Sequence, residues 1–189
     1  MKKFLIGSIA AMLVISGLVL TSCKNESQKK GLAKVDSLLL QVDTAALKLS
    51  QVNVDTLKHK FKLFKQYNGL LTENFAEVKT EENFQRICLY RYVKKTFDLM
   101  ISEYPDFLKN IDTARMQLNN LKEDIGNDLL TEKEIQSYCE LERLNVKDLR
   151  DKITFRVDNA IKEEANFDTI HPMIVKWVDE ALAKKGKKK

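Results

Sequence analysis

Apolar residues recur at steps of three and four through most of the chain, which is the period of a helix with one buried face. The first two apolar stripes predict helices over about 32–52 and 54–78. They consist of Val35, Leu38, Val42, Ala45, Leu49 and Val52, and of Val54, Leu57, Phe61, Phe64, Asn68, Leu71, Phe75 and Val78. Asn68 interrupts the second stripe. Two interpretations are open: a buried asparagine that sets the register, or a kink or locally exposed turn at Asn68-Gly69.

The middle of the chain predicts two more helices that meet at Pro105. The first runs over about 81–104 after the capping residue Thr80, and its apolar residues on more than one side predict a central position. A proline closes one helix and can open the next, so the second helix is expected to begin at Pro105. It is expected to end near Gly126, because glycine commonly follows the last turn of a helix. The apolar residues are Phe84, Ile87, Cys88, Val93, Phe97, Met100, Ile101 and Tyr104, then Leu108, Ile111, Ala114, Leu118, Leu121 and Ile125.

The remaining part predicts a long helix over about 131–165 and a short one after Pro172. Thr131 followed by Glu134 is the pattern of a capping box, which starts a helix. The predicted buried positions are Ile135, Tyr138, Leu141, Leu144, Leu149, Ile153, Val157 and Ile161, then Ile174, Trp177, Val178 and Leu182. No segment alternates as a strand does, and only 6 glycines and 2 prolines are present. The predicted fold class is all-α, an antiparallel helical bundle of five to six helices that is compatible with an elongated shape.

The distribution of charge along the chain is more informative than the net charge. The formal net charge is +5, but two lysines precede the first apolar segment and five lie within the last six residues. Removing these seven from 32 basic residues leaves 25 against 27 acidic ones, so the body is slightly acidic. Nucleic-acid binding needs a basic face on the folded part, and we therefore expect no nucleic-acid partner. The basic end, residues 184–189, is expected to be a disordered tail.

The first 23 residues have the order of an export signal. Lys2 and Lys3 form a positive start, Phe4–Leu20 is uncharged and mostly apolar, and Leu20-Thr21-Ser22-Cys23 follows. These last four residues resemble the lipobox of bacterial lipoproteins, in which an aliphatic and two small residues precede a cysteine. A plain transmembrane segment is the alternative, although 17 residues are at the low limit for crossing a bilayer.

The lipobox resemblance implies cleavage between Ser22 and Cys23, a diacylglycerol thioether on Cys23, and acylation of the new amine. Several acyl chains hold a protein on a membrane stably, whereas one holds it marginally. The resemblance also favours the outer membrane, because Lys24 stands where an aspartate can mark inner-membrane retention. The predicted organisation is a signal peptide over 1–22, a flexible tether over 23–31, a helical domain over 32–183 and the basic tail.

Cys88 and Cys139 remain after Cys23 is lipidated, in a compartment where disulfides persist. A disulfide between them is one interpretation, since neighbouring antiparallel helices can bring two cysteines together, and two buried free thiols are the other. Neither cysteine has a CxxC partner or a nearby histidine, so no metal site is predicted.

No set of residues indicates catalysis or a cofactor. His59 and His171 lack a partner at zinc-binding spacing and are expected at the surface or near a helix start. The acidic residues lie among lysines on outward helix faces, and no nucleophile elbow or glycine-rich phosphate loop is present. We therefore expect no enzyme and no cofactor.

The expected function is that of a membrane-anchored lipoprotein whose helices bind another protein or organise the cell envelope. The alternative is a carrier or sensor that binds a small molecule or lipid between the helices, which the abundant apolar surface of the 81–104 segment favours.

Overall fold

The computed structural model describes residues 25–186, which form an all-helical protein without strands in that range. The predicted signal peptide and Cys23 lie outside the described residues. Four helices are long, and one segment is a single turn. The elements are α1 (Glu26–Leu49), α2 (Val54–Glu73), α3 (Phe75–Val78), α4 (Glu81–Gly126) and α5 (Glu132–Gly186).

The predicted helix starts after Thr80 and Thr131 are confirmed by their hydrogen bonds. The Thr80 side chain accepts from the backbone N–H of Asn83, which caps α4. Glu134 accepts from both the backbone N–H and the hydroxyl of Thr131 at the start of α5. α4 ends at Gly126, and Asp128 then adopts a left-handed φ of 59° that turns the chain towards α5.

Pro105 and Pro172 do not end helices, which corrects the expected helix count. α4 continues through Pro105, and α5 continues through Pro172. Both prolines are exposed. The proline rings therefore lie on the solvent side of each helix, while buried residues before and after each proline hold the helix in place.

The segment predicted as a tether is largely helical. α1 begins at Glu26, where Asn25 and Gln28 form a reciprocal capping box. Gln28 and Gly31 are buried, and the Gln28 side chain also donates to Asp128. The segment lacks aliphatic residues, so its burial depends on this cap and on close packing at the glycine.

The expected basic tail is helical up to Gly186, and Lys185 Nζ lies 3.1 Å from Glu77 Oε1. Residues 187–189 lie outside the described residues.

Side-chain pairs show how the long helices run. α4 and α5 are antiparallel, since Arg156 donates to Glu103 at 2.7 and 3.0 Å and Tyr90 meets His171 far along both helices. α1 packs against the end of α4 and the start of α5. α2 packs against the other halves of the same two helices, where Lys60 bridges Glu164 and Asp168. α1 and α2 therefore follow one after the other along the α4–α5 pair.

The core confirms the two predicted stripes of α1 and α2 for the most part. Every predicted residue of α1 is buried, and so are Leu57, Phe61, Phe64 and Leu71 of α2. α2 continues through Asn68 and Gly69 as one helix, so no turn interrupts it there. Asn68 Oδ1 is buried and has no hydrogen-bond partner among residues 25–186, so it makes no register-setting bond there either.

Five of the residues predicted to be buried on α5 are buried, namely Ile135, Ile153, Val157, Ile174 and Val178, but the main buried row differs from the predicted one. It repeats every seven residues, which is the period of packed, supercoiled helices. This row is Cys139, Val146, Ile153, Ala160, Phe167, Ile174 and Ala181. Five residues that were expected to be buried are between 40 and 54% exposed instead: Tyr138, Leu141, Leu144, Ile161 and Leu182. α5 has two apolar rows. The buried row contains the small side chains of Cys139 and Ala160, which allow the neighbouring helices to approach it.

Among the helices of residues 25–186, none combines the length and apolar character required to cross a membrane.

Candidate interaction surface

A groove runs between α4 and α5 on a side that neither α1 nor α2 covers. Two adjoining clefts of about 350 and 240 Å³ open into it, and only residues of α4 and α5 line them. Phe107 lines both clefts, and Ala114 and Leu149 add to the apolar floor. We call this feature the α4/α5 groove. Its walls include Glu103, Asp106, Asn110, Thr113, Gln117, Asn145, Asp148, Lys152, Phe155 and Arg156.

Exposed apolar side chains continue along the rims of the groove. Positions seven residues apart lie on the same face of helices that pack as these do. Seven-residue steps from Asp106 along α4 lead to Leu99 and Tyr92, and the side chain of Tyr92 is 70% exposed. Two such steps lead from Leu141 to Phe155 along α5, and both are more than half exposed.

Uncharged polar residues occupy much of the remaining wall. Asn110, Gln117, Asn145 and Thr113 contribute amides and a hydroxyl, which pair readily with groups on another chain. A face that places large apolar side chains beside uncharged amides has the composition of a protein-interaction surface rather than of an ordinary solvated face.

The charges in the groove are divided between its walls. The α4 wall carries Glu103 and Asp106, whereas the α5 wall carries Lys152 and Arg156 as well as Asp148. Arg156 is bound to Glu103, and hydrogen bonding to this carboxylate raises the pKa of the guanidinium in spite of its partial burial. Lys152 pairs with Asp148 at 2.7 Å on the exposed helix surface. Asp106 has no ion-pair partner within residues 25–186.

The structure keeps Cys88 and Cys139 apart as free thiols. Tyr90, two residues beyond Cys88, bonds His171, and His171 is 32 residues along α5 from Cys139. At about 1.5 Å per residue this separation is about 48 Å, far beyond disulfide reach. Because α4 and α5 pair antiparallel from their connecting turn, a residue near the start of α5 faces the end of α4 and not its beginning. Burial raises the pKa of the Cys139 thiol.

His171 was expected at the surface or near a helix start, but it is half-buried within α5. Its Nδ1 lies 2.9 Å from the Tyr90 hydroxyl, and its ring stacks on Phe167 with centroids 4.5 Å apart. Burial lowers the pKa of His171, and Asp168 opposes that shift. Burial also raises the pKa of Tyr90, with a smaller contribution from Tyr67. The pair is thus a neutral hydrogen bond within an aromatic core, and sequence analysis missed Tyr90 as its partner.

A cationic bridge flanks this cluster on the outside. Lys60 Nζ lies 2.7 Å from a carboxylate oxygen of Glu164 and 2.7 Å from one of Asp168. Burial lowers the pKa of Lys60, but the bonds to the two carboxylates outweigh it, so the pKa is raised overall. The bridge joins α2 to α5 and has the form of a structural ion pair. Residues 25–186 contain no cluster of three or more histidine, cysteine or acidic residues arranged to hold a metal.

A further cleft of about 980 Å³ lies between the starts of α1 and α5 and is open to solvent. Polar and charged side chains form most of its lining, including Glu26, Lys30, Lys34 and Glu132.

Comparison with known proteins adds no family to these observations: no family model, no curated protein and no solved structure matches the chain.

Proposed function

We propose that this protein is a bacterial lipoprotein whose helical body is a rigid, non-enzymatic module that binds protein through the α4/α5 groove. The lipobox supports the anchor, and the uncovered groove with its exposed Tyr92, Leu141 and Phe155 supports the interaction. An antiparallel helical bundle without a catalytic centre suits this role, because its long helices present a continuous surface.

The position of Asn25 supports a particular orientation on the membrane. Asn25 is two residues after Cys23, and α1 begins beside the start of α5, where Gly31 packs on Ile135. A lipid on Cys23 therefore places this end of the molecule next to the bilayer. α5 has 55 residues, which corresponds to about 80 Å at 1.5 Å per residue. The opposite end then projects away from the membrane, in the cell envelope and most favourably from the outer membrane.

The anchor is tested by the intact mass of protein extracted from membranes. We expect a chain that begins at Cys23 and carries the mass of a diacylglycerol and an acyl group. Cys23→Ala should retain the leader and lose the lipid mass. An unmodified thiol on a chain that still carries residues 1–22 contradicts the anchor.

The interaction surface is tested by a photo-crosslinking amino acid at Phe155 in intact cells. We expect a protein adduct from this position. The matched control is the same amino acid at Leu40, which is 67% exposed on α1, outside the groove, and should give little adduct. Equal, weak labelling from both positions contradicts the groove as a binding surface.

The carrier remains a second candidate, and the open cleft of about 980 Å³ at the start of α1 is the observation that favours it. Native mass spectrometry of the protein released gently from membranes tests it. A small molecule or lipid retained in addition to the covalent anchor supports a carrier, and protein without such a mass contradicts it.

A further inference from the structure

The larger cleft of the α4/α5 groove carries opposite charges on its two walls, in a pattern that complements itself. Glu103 and Asp106 lie on the α4 wall, and Lys152 and Arg156 lie opposite on the α5 wall. If a second copy is rotated by 180° about an axis parallel to the long helices, the basic wall of its groove faces the acidic wall of the first copy. This is the condition for an isologous contact, in which one patch binds its own copy.

We propose that the groove binds a second copy of this chain in a parallel, two-fold symmetric dimer. The proposal rests on the proposed function, because lipid anchors at the same end of each copy hold both molecules in one orientation and at one height. The symmetry axis then runs along the helices. In this arrangement α4 of each copy lies against α5 of the other, antiparallel, as α4 and α5 already lie within one chain.

The height of each residue decides which groups meet. Within one chain Glu103 meets Arg156 and Tyr90 meets His171, so Asp106 stands at nearly the same height as Lys152. Across the dimer, Asp106 of each copy therefore faces Lys152 of the other. Asp106 has no ion-pair partner within the described chain, and Lys152 is held only by an exposed pair with Asp148, which contributes little stability. Both groups are thus available for a new pair.

Phe155 provides the apolar part of the contact. Its side chain is 61% exposed at the rim of the cleft that Phe107 floors. In the dimer, α4 and the cleft of the second copy cover this ring. By symmetry, α4 and the cleft of the first copy cover Phe155 of the second. Aromatic side chains that enter a partly closed pocket are the type that carries most of the binding energy at interfaces.

The test uses the full-length lipidated protein in its native membranes, with the photo-crosslinker at Phe155. We expect an adduct of twice the mass of one copy whose cross-linked peptide maps to the second copy's residues in the groove. An adduct with a different protein overturns the dimer but agrees with the proposed function. The absence of any protein adduct overturns both.

Charge reversal gives an independent test by analytical ultracentrifugation of the full-length protein in detergent. Asp106→Lys and Lys152→Asp should each raise the dimer dissociation constant about tenfold, and the double variant should restore it largely. Phe155→Glu should leave a monomer, whereas Leu40→Glu should not change the dimer. A monomeric wild type, or a dimer that responds to Leu40→Glu and not to Phe155→Glu, overturns the proposal.

Discussion

Two helical glycines, Gly31 and Gly69, differ in how much space their neighbours leave for a side chain. A Cβ atom added at Gly31 would lie 2.6 Å from Ile135 Cγ2, a branched side chain that is itself buried. A Cβ atom at Gly69 would meet nothing within 4 Å. The first glycine permits the close approach of α1 to α5, and the second has no such role.

We predict that Gly31→Ala lowers the free energy of unfolding by about 1–3 kcal/mol, because overpacking must move Ile135 or the helix. Gly69→Ala should raise it by about 0.5–1 kcal/mol, because alanine is the better helix former. Urea unfolding of both variants measures this. Changes of the same sign would contradict the close contact at Gly31.

His171 should make stability depend on pH. Its pKa is lowered by burial in the folded protein, so the unfolded chain binds more protons as pH falls below the ordinary value of 6.5. Stability attributable to His171 is therefore complete above that pH, declines as pH falls, and stops declining below the lowered pKa.

The measurement is the melting temperature of the wild type and His171→Gln between pH 7.5 and 5. We expect the variant to be less stable at pH 7.5 but to lose less stability on acidification. His59→Gln is the control, because His59 is exposed on α2, and it should behave as the wild type does. An unchanged pH slope in His171→Gln would exclude His171 as its source.

At the scale of elements, α4 shows why an exposed proline need not end a helix. Pro105 removes one hydrogen-bond donor, yet Met100 and Phe107 on either side are buried and fix the axis. Packing along both sides of the break supplies more stabilisation than the missing bond removes.

We predict that Pro105→Ala raises the free energy of unfolding by about 1–2 kcal/mol, because the restored N–H can bond a carbonyl one turn earlier. The far-ultraviolet circular dichroism spectrum should remain nearly unchanged. Ser102→Ala, at another exposed position of α4, serves as the control with a smaller effect. A loss of stability in Pro105→Ala would indicate that the helix does not continue through this position.

At the scale of the whole molecule, continuous α5 sets the length of the protein. Lys133 and Lys184 lie near its two ends and are both exposed. Because 51 residues separate them, the expected distance is about 77 Å.

Pulsed electron paramagnetic resonance measures this distance between spin labels at Lys133→Cys and Lys184→Cys. Cys88 and Cys139 are replaced by serine in this variant. A control pair at residues 133 and 162 does not cross Pro172 and should give about 44 Å. A long pair that is much shorter than expected, with a normal control pair, would place a bend at Pro172.

Local features of the sequence determined much of the secondary structure of this protein. Helix starts at Thr80 and Thr131, the end at Gly126 and the buried stripes of α1 and α2 follow from caps and from single apolar rows. These depend on interactions within a few residues, so the periodicity and the capping residues suffice to predict them. The order of residues from Met1 to Cys23 likewise carries the lipoprotein resemblance by itself.

Only the tertiary structure decided which of two apolar rows on α5 is buried, and therefore which surface stays exposed. Tyr138 and Leu141 are larger than Cys139 and Ala160, yet the smaller pair lies in the core because it admits neighbouring helices at close range. The separation of Cys88 from Cys139 and the continuation past both prolines were likewise decided by helices packing over long distances. Helical periodicity describes one helix at a time and contains no term for the partner against which that helix packs.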